Sequence, residues 1–137
     1  MISRDDIVQL LSGRGVFPTP QRVDVAFVML AKPQHLSADQ VIAGIRAIGS
    51  RVSKATVYNT LNLFCERGLL RTVEVDPTRQ FYDSTIEAHH HFYNVDTGEL
   101  TDIPTGTVTL NVNTALPPGT VHAGVDVVIR VRSEPRG

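Results

Sequence analysis

The sequence predicts an α/β (α+β) protein, with an N-terminal winged helix-turn-helix followed by a small C-terminal α/β domain. Three observations support this fold class. Apolar residues recur at helical spacing up to Arg67, alternate with polar residues from Leu70, and form strand-like runs beyond Ser84. Short helices followed by a two-stranded ribbon are typical of a winged helix-turn-helix.

Four helices are predicted in the first half, and each begins at a residue type that caps helix N-termini. Glycine or proline follows the end of each helix, where the chain must leave the helical conformation. The fourth helix runs over residues 54–67, with Val57, Leu61 and Phe64 as its buried stripe. The capping residues are Ser3, Thr19, Ser37 and Ser53.

The pattern changes to period two after the fourth helix. Residues 70–75 and 80–82 predict two strands joined by a turn at 76–78. In the second half a hairpin is predicted, with Gly98 taking the positive φ of its turn. Its strands are residues 91–95 and 99–103, and two further strands are predicted at 107–112 and 125–131.

Charge divides the chain at the same place as the pattern does. Up to Ser84 there are ten lysine or arginine residues against eight acidic residues, and beyond it three against six. The net charge of −1 therefore averages a basic half and an acidic half. We predict two domains, residues 1–84 and 85–137, of which the first meets a polyanion.

Composition excludes several classes of protein. The single cysteine of the 137 residues rules out an internal disulfide framework and a four-cysteine zinc site, and fits a reducing cytoplasmic location. No apolar run approaches the roughly 18 residues of a transmembrane helix, so we expect no membrane partner. The first residues lack the basic and apolar segments of a signal peptide.

The fourth predicted helix carries the residues expected to read DNA. Because the buried stripe fixes the inward face, most of the polar side chains around this helix point outward together. Lysine and arginine neutralise phosphates, asparagine can bond adenine edges, and threonine can touch a thymine methyl. A solvated helix face is the alternative interpretation. With Arg22 from the second helix, the predicted DNA-binding residues are Arg22, Arg51, Lys54, Thr56, Tyr58 and Asn59.

A run of three histidines, His89 to His91, predicts a metal site. Alternation along a strand puts His89 and His91 on one face and His90 on the other, and the hairpin brings Asp102 beside His91. Asp83 lies six residues upstream, and His35 is expected in the loop before the third helix. Three nitrogens and two carboxylates suit Fe²⁺, Mn²⁺, Co²⁺ or Zn²⁺. A polar surface strand of titrating histidines is the alternative.

Four segments together resemble the ferric uptake regulator superfamily, in its order and spacing over roughly residues 8 to 103. The helix Ala-Thr-Val-Tyr-Asn followed by the later histidine run is the most specific part. The segments are residues 17–22 (FPTPQR), 35–39 (HLSAD), 55–61 (ATVYNTL) and 89–91 (HHH).

The resemblance implies a homodimer that binds operator DNA, with Tyr58 as a DNA contact and a C-terminal dimerisation domain. It implies a regulatory metal, Fe²⁺ or Mn²⁺ with Zn²⁺ in vitro, which clamps the DNA-binding half to the dimerisation half. Its metal site falls on the five residues already selected, His35, Asp83, His89, His91 and Asp102.

The family's cysteine pairs, which hold a structural zinc, are missing, since Asn94 and Thr97 stand where the first pair would fall. This departure and the C-terminal third resemble the iron response regulator branch, which lacks these pairs and responds to haem as well as to metal. Haem would then contact His89, His90 and His91.

The sequence thus predicts a metal- or haem-responsive transcriptional regulator of iron homeostasis, not an enzyme. Within the superfamily, the alternative is a plain iron, manganese or peroxide sensor without a haem response. Outside it, the alternatives are a small non-haem iron enzyme with two histidines and a carboxylate, and a metal-storage or chaperone module. The first half of the chain argues against both, because neither needs a basic helix.

Overall fold

A computed structural model describes residues 2–76, 78–86 and 89–135. The chain forms two units, one up to Ile86 and one beyond it. Hydrogen bonds hold the end of the first unit in place, because the Ser84 amide donates to the Gln34 carbonyl and the Thr85 amide to the Asp83 carboxylate. None of the helices in the described part of the chain is both long and apolar enough to cross a bilayer.

The four helices of the first unit begin where the capping residues predict. Each cap's side-chain oxygen accepts a hydrogen bond from the amide three residues later, which satisfies one of the free donors of the first turn. Ser3 and Ser37 form complete capping boxes with Asp6 and Gln40. The helices are α1 (Arg4–Gly13), α2 (Pro20–Leu30), α3 (Ala38–Ala47) and α4 (Lys54–Glu66).

The core of the first unit lies between these helices. Val57, Leu61 and Phe64, the predicted stripe of α4, are fully buried there. They pack in one cluster with Ile7 and Leu11 of α1 and with apolar residues of α2 and α3. Full burial of such a side chain contributes about 1.5–3 kcal/mol, so the stripe fixes which face of α4 points outward.

A three-stranded antiparallel sheet completes the first unit, in the order β1-β3-β2. Its strands are β1 (His35–Ser37), β2 (Arg71–Asp76) and β3 (Arg79–Asp83). β2 and β3 confirm the predicted ribbon, although Pro77 of the predicted turn lies outside the described residues. The loop predicted at His35 is wrong, because residues 35–37 pair with β3 and form a strand.

The second unit contains a three-stranded sheet in the order β5-β4-β6. β4 (His91–Asn94) and β5 (Leu100–Asp102) confirm the predicted hairpin, and Gly98 has the expected positive φ of 76°. β6 (Val128–Val131) runs parallel to β4 and begins three residues later than predicted. The strand predicted at 107–112 is wrong: these residues alternate in polarity but pair with no strand of the described chain, and Val112 is 68% exposed.

Gly44 marks a close approach of α2 and α3, which leaves no free space for a side chain. A β-carbon at Gly44 would lie 2.8 Å from Cγ1 of Val28, whose β-branched side chain is stiff. Gly44→Ala gains about 1 kcal/mol of helix propensity. The forced shift costs typically about 1–3 kcal/mol, so we expect net destabilisation in urea unfolding. Adding Val28→Ala should restore part of the loss, and a stabilised Gly44→Ala single variant would contradict the close approach.

Candidate metal centre and nucleic-acid surface

Three metal-ligating side chains converge at the start of the β4–β5 hairpin. Nε2 of His89 lies 3.0 Å, and Nε2 of His91 3.3 Å, from the same carboxylate oxygen of Asp102. The register of the hairpin brings this about, because His91 and Asp102 are direct cross-strand partners. His91 is 1% exposed, whereas Asp102 is exposed, so the cluster has a buried side and an open side.

The geometry of this cluster fits a divalent ion. Its three ligand atoms lie within 4.8 Å of one another. Imidazole nitrogen with carboxylate oxygen suits Fe²⁺, Mn²⁺ or Zn²⁺. The carboxylate oxygen accepts from the ring nitrogens where these carry protons, and an ion bound by the same nitrogens would displace those protons.

His90 lies in the same run but has a different role. Its Nδ1 lies 3.0 Å from the Val127 amide nitrogen and accepts its hydrogen bond. The Val127 carbonyl in turn accepts from the amide of His91, so both backbone groups of Val127 are bonded to the histidine run. His90 therefore ties the beginning of β6 to β4, while His89 and His91 contact Asp102.

The other two predicted ligands are neighbours in the first unit. His35 on β1 and Asp83 on β3 are direct cross-strand partners. Asp83 is 1% exposed, and its Oδ1 accepts a hydrogen bond of 2.8 Å from the Thr85 amide. A buried carboxylate beside an imidazole is a second donor pair of the same chemical kind. This pair depends on strand β1, which the sequence did not predict, because the register of β1 with β3 fixes His35 opposite Asp83.

Hydrogen bonds connect the β4–β5 turn to the segment after β6. Asn94 accepts from the amides of Asp96 and Thr97, and its side-chain amide donates to the Ser133 hydroxyl. The Ser133 amide donates to the Asp96 carboxylate. Asn94 and Asp96, an uncharged and an acidic side chain, thus connect the two segments. Cys65 lies elsewhere, half-buried on α4, where burial raises the pKa of its thiol.

The predicted DNA-binding residues lie around α4 and the N-terminus of α2. Arg51, Lys54 and Asn59 are exposed, and Tyr58 is 43% exposed. Thr60, which follows them, is buried at 4% and belongs to the core face.

Two adjoining grooves lie between α2 and α4. One, of about 230 Å³, is lined by Arg22, Thr56 and Asn59, together with Thr19, Gln21 and others. The second, of about 320 Å³, is lined by Arg51 and Thr56, again with Gln21. Lys54 and Tyr58 do not line either groove. Gln21 lines both and was missed, because only the packing of α2 against α4 brings it there.

Comparison with known proteins decides the family. The sequence model of the ferric uptake regulator family matches residues 14–114, which is most of the chain. The chain belongs to the ferric uptake regulator family. Its matched region contains all five predicted metal ligands and all six predicted DNA-binding residues.

Curated relatives in this family are regulators of transcription or metal uptake. The peroxide-responsive repressor of Staphylococcus saprophyticus is 26% identical over 98 residues, 72% of this chain and 66% of that protein. The ferric uptake regulation protein of Synechococcus elongatus is 33% identical over 85 residues, 59% of this chain and 58% of that protein. The chain thus matches 58–66% of the length of these relatives. They are not enzymes, which confirms that prediction, and the non-haem iron enzyme alternative is wrong.

Solved structures of the family share the fold. The ferric uptake regulator of Vibrio cholerae is 21% identical and superposes with a TM-score of 0.71, over 92% of this chain and 98% of that one. At this identity the likeness establishes the fold alone. It confirms the predicted fold class, a winged-helix unit followed by a smaller α/β domain.

Proposed function

We propose that the chain is a cytoplasmic, metal-dependent transcriptional regulator of iron homeostasis that represses genes by binding operator DNA as a homodimer. In this proposal residues 1–84 are the DNA-binding domain and residues 85–137 the metal-sensing dimerisation domain. The observation that carries it is the convergence of His89, His91 and Asp102 in a chain of the ferric uptake regulator family.

The proposed metal site uses all five predicted ligands. His89, His91 and Asp102 come from the second unit, and His35 and Asp83 from the first. A bound Fe²⁺ or Mn²⁺ supplies positive charge and a fixed coordination geometry. Ligands from both units would then restrict the motion of one unit against the other, which shifts the population towards the form that binds DNA.

The proposed DNA interface is the exposed face of α4 together with the two grooves beside α2. Asn59 and Thr56 are suited to base edges in the major groove, and Tyr58 to sugar or phosphate. Arg22, Arg51 and Lys54 are suited to phosphates. Two copies of α4, one from each protomer, would read the two half-sites of a pseudo-palindromic operator.

Haem response, and with it the iron response regulator branch, is the second candidate. The observation that favours it is the lack of cysteine pairs, together with three consecutive histidines. His89, His90 and His91 would be the haem contacts. Two of them already share Asp102 and the third bonds Val127, so haem at this place would compete with the metal. A metal or peroxide sensor without haem response requires none of these rearrangements.

A gel shift on the protein's own promoter region tests the proposal in three states: metal-free, Mn²⁺-loaded and haem-treated. We expect a shift with Mn²⁺ that chelation reverses, because only the metal-loaded form holds the DNA-competent arrangement. Release by stoichiometric haem, with a discrete Soret band, would select the haem-responsive branch. The absence of a shift in all three states would refute the proposed function.

A further inference from the structure

Asp24 on α2 uses both of its carboxylate oxygens to connect parts of the first unit. Oδ1 accepts a hydrogen bond of 2.9 Å from the guanidinium of Arg4 on α1. Oδ2 accepts one of 2.7 Å from the hydroxyl of Ser50, in the turn between α3 and α4. The Asp24 side chain is 20% exposed. Asp24 therefore connects α2 both to α1 and to the turn between α3 and α4.

Ser50 is also hydrogen-bonded to α3 through its backbone. The Ser50 carbonyl accepts a hydrogen bond of 3.2 Å from the Arg46 guanidinium, and its amide donates to the Ile45 carbonyl. Every polar group of Ser50 is thus bonded, either to α3 or to Asp24. Three residues later Ser53 caps α4, and Val52 between them is buried. A fixed Ser50 therefore fixes the start of α4.

The position of Asp24 is electrostatically unfavourable for binding DNA. Asp24 lines the same groove as Ser50, Arg51 and Thr56, where a phosphate backbone would approach. A carboxylate there repels phosphate and lowers affinity by simple electrostatics. An acidic residue at this place is consistent with a role in positioning the basic and polar groups around it.

We propose that Asp24 is a positioning residue for DNA reading. Through Ser50 it fixes the turn before α4, and with it Arg51 and the first turn of that helix. This inference rests on the proposed function for its effect on DNA, but the fixing of the turn does not depend on DNA. The Arg4 contact is secondary, because an ion pair with a side chain that is 55% exposed contributes little.

A four-variant binding cycle tests this role. We expect Asp24→Ala and Ser50→Ala each to weaken operator binding about tenfold, the scale of one charge-assisted hydrogen bond. The double variant should be no weaker than either single variant, because both changes remove the same contact. Arg4→Ala, the matched control, should change operator affinity less than twofold. Binding is measured by fluorescence anisotropy on operator and on unrelated DNA, well below the Tm of each variant.

Amide hydrogen exchange tests, without DNA, whether Asp24 fixes the turn before α4. In Asp24→Ala and Ser50→Ala, the amides of Thr56 and Val57, which both donate to Ser53, should exchange about tenfold faster, while those of Leu61 to Phe64 stay unchanged. Asp24→Asn should restore most of the protection, since its amide oxygen still accepts from Ser50. Unchanged exchange in Asp24→Ala, or tighter operator binding from loss of the carboxylate, would overturn the inference. A wild-type protein that binds no operator would refute the proposed function instead, and the exchange result would still decide the positioning.

Discussion

Replacing His89 and His91 together by alanine is expected to lower Mn²⁺ affinity about 100-fold or more. Substitutions of groups that merely orient metal ligands already cost about 10–100-fold, and this variant removes two nitrogen ligands themselves. The variant keeps the carboxylates of Asp102 and Asp83 and the imidazole of His35, and of these Asp102 is exposed, so an ion would be held weakly. Operator binding at a fixed Mn²⁺ concentration should fall with the metal affinity. Competition against a fluorescent chelator gives the first quantity, and anisotropy gives the second.

The controls for this variant separate metal loss from unfolding. His122→Ala removes an exposed histidine outside the cluster and should leave both affinities unchanged. Because His91 is buried, its truncation leaves a cavity that destabilises the second unit. His91→Asn keeps much of the side-chain volume and should lose metal affinity with a smaller loss of stability. An unaltered Mn²⁺ affinity in the folded double variant would show that the ion binds elsewhere.

Asn59→Ala is expected to lower operator affinity by about 5–150-fold and to leave binding to unrelated DNA unchanged. A bidentate contact between asparagine and adenine discriminates by about 1–3 kcal/mol, and unrelated sequence offers no such contact. Asn59 is exposed and lines a groove with Thr56 and Arg22, so its truncation costs little stability. The measurement is the ratio of operator to unrelated-DNA affinity. The matched control is Asn111→Ala, an exposed asparagine of the second unit.

Lys54→Ala, on the same helix as Asn59, is expected to lower DNA affinity independently of sequence. A lysine that contacts phosphate should weaken operator and unrelated DNA alike, and reduce the slope of log affinity against log salt concentration by about one. Lys32→Ala, an exposed lysine outside both grooves, should do neither. If Asn59→Ala weakens both DNAs equally, α4 does not read bases through this residue.

The helices could be predicted from sequence because their determinants are local. Ser3, Thr19, Ser37 and Ser53 cap the first turns with their own side chains, and apolar spacing within each helix fixes the buried face. Strands depend on partners far along the chain. β1 has only three residues and pairs with β3 some 45 positions later. No local sequence pattern therefore predicts this strand. Residues 107–112 have the alternation but pair with no strand among the residues that the structure describes.

In the candidate site too, contacts set by local sequence could be predicted, whereas contacts between distant segments could not. His91 and Asp102 could be paired from sequence, because the turn at Gly98 fixes the register of the hairpin. The separate bond of His90 to Val127 could not, since β6 returns from 37 residues away. Gln21 was missed for the same reason, because its place in both grooves depends on how α2 packs against α4.

The central claim is that metal binding and operator binding are coupled, and reciprocity offers its most direct test. The Mn²⁺ dissociation constant of the wild-type protein is measured alone and with saturating operator, and the operator constant with and without saturating Mn²⁺. Coupling requires both ratios to be equal, and we expect a factor of about ten or more. A Mn²⁺ affinity that operator leaves unchanged would contradict the account, however tightly the protein binds either partner.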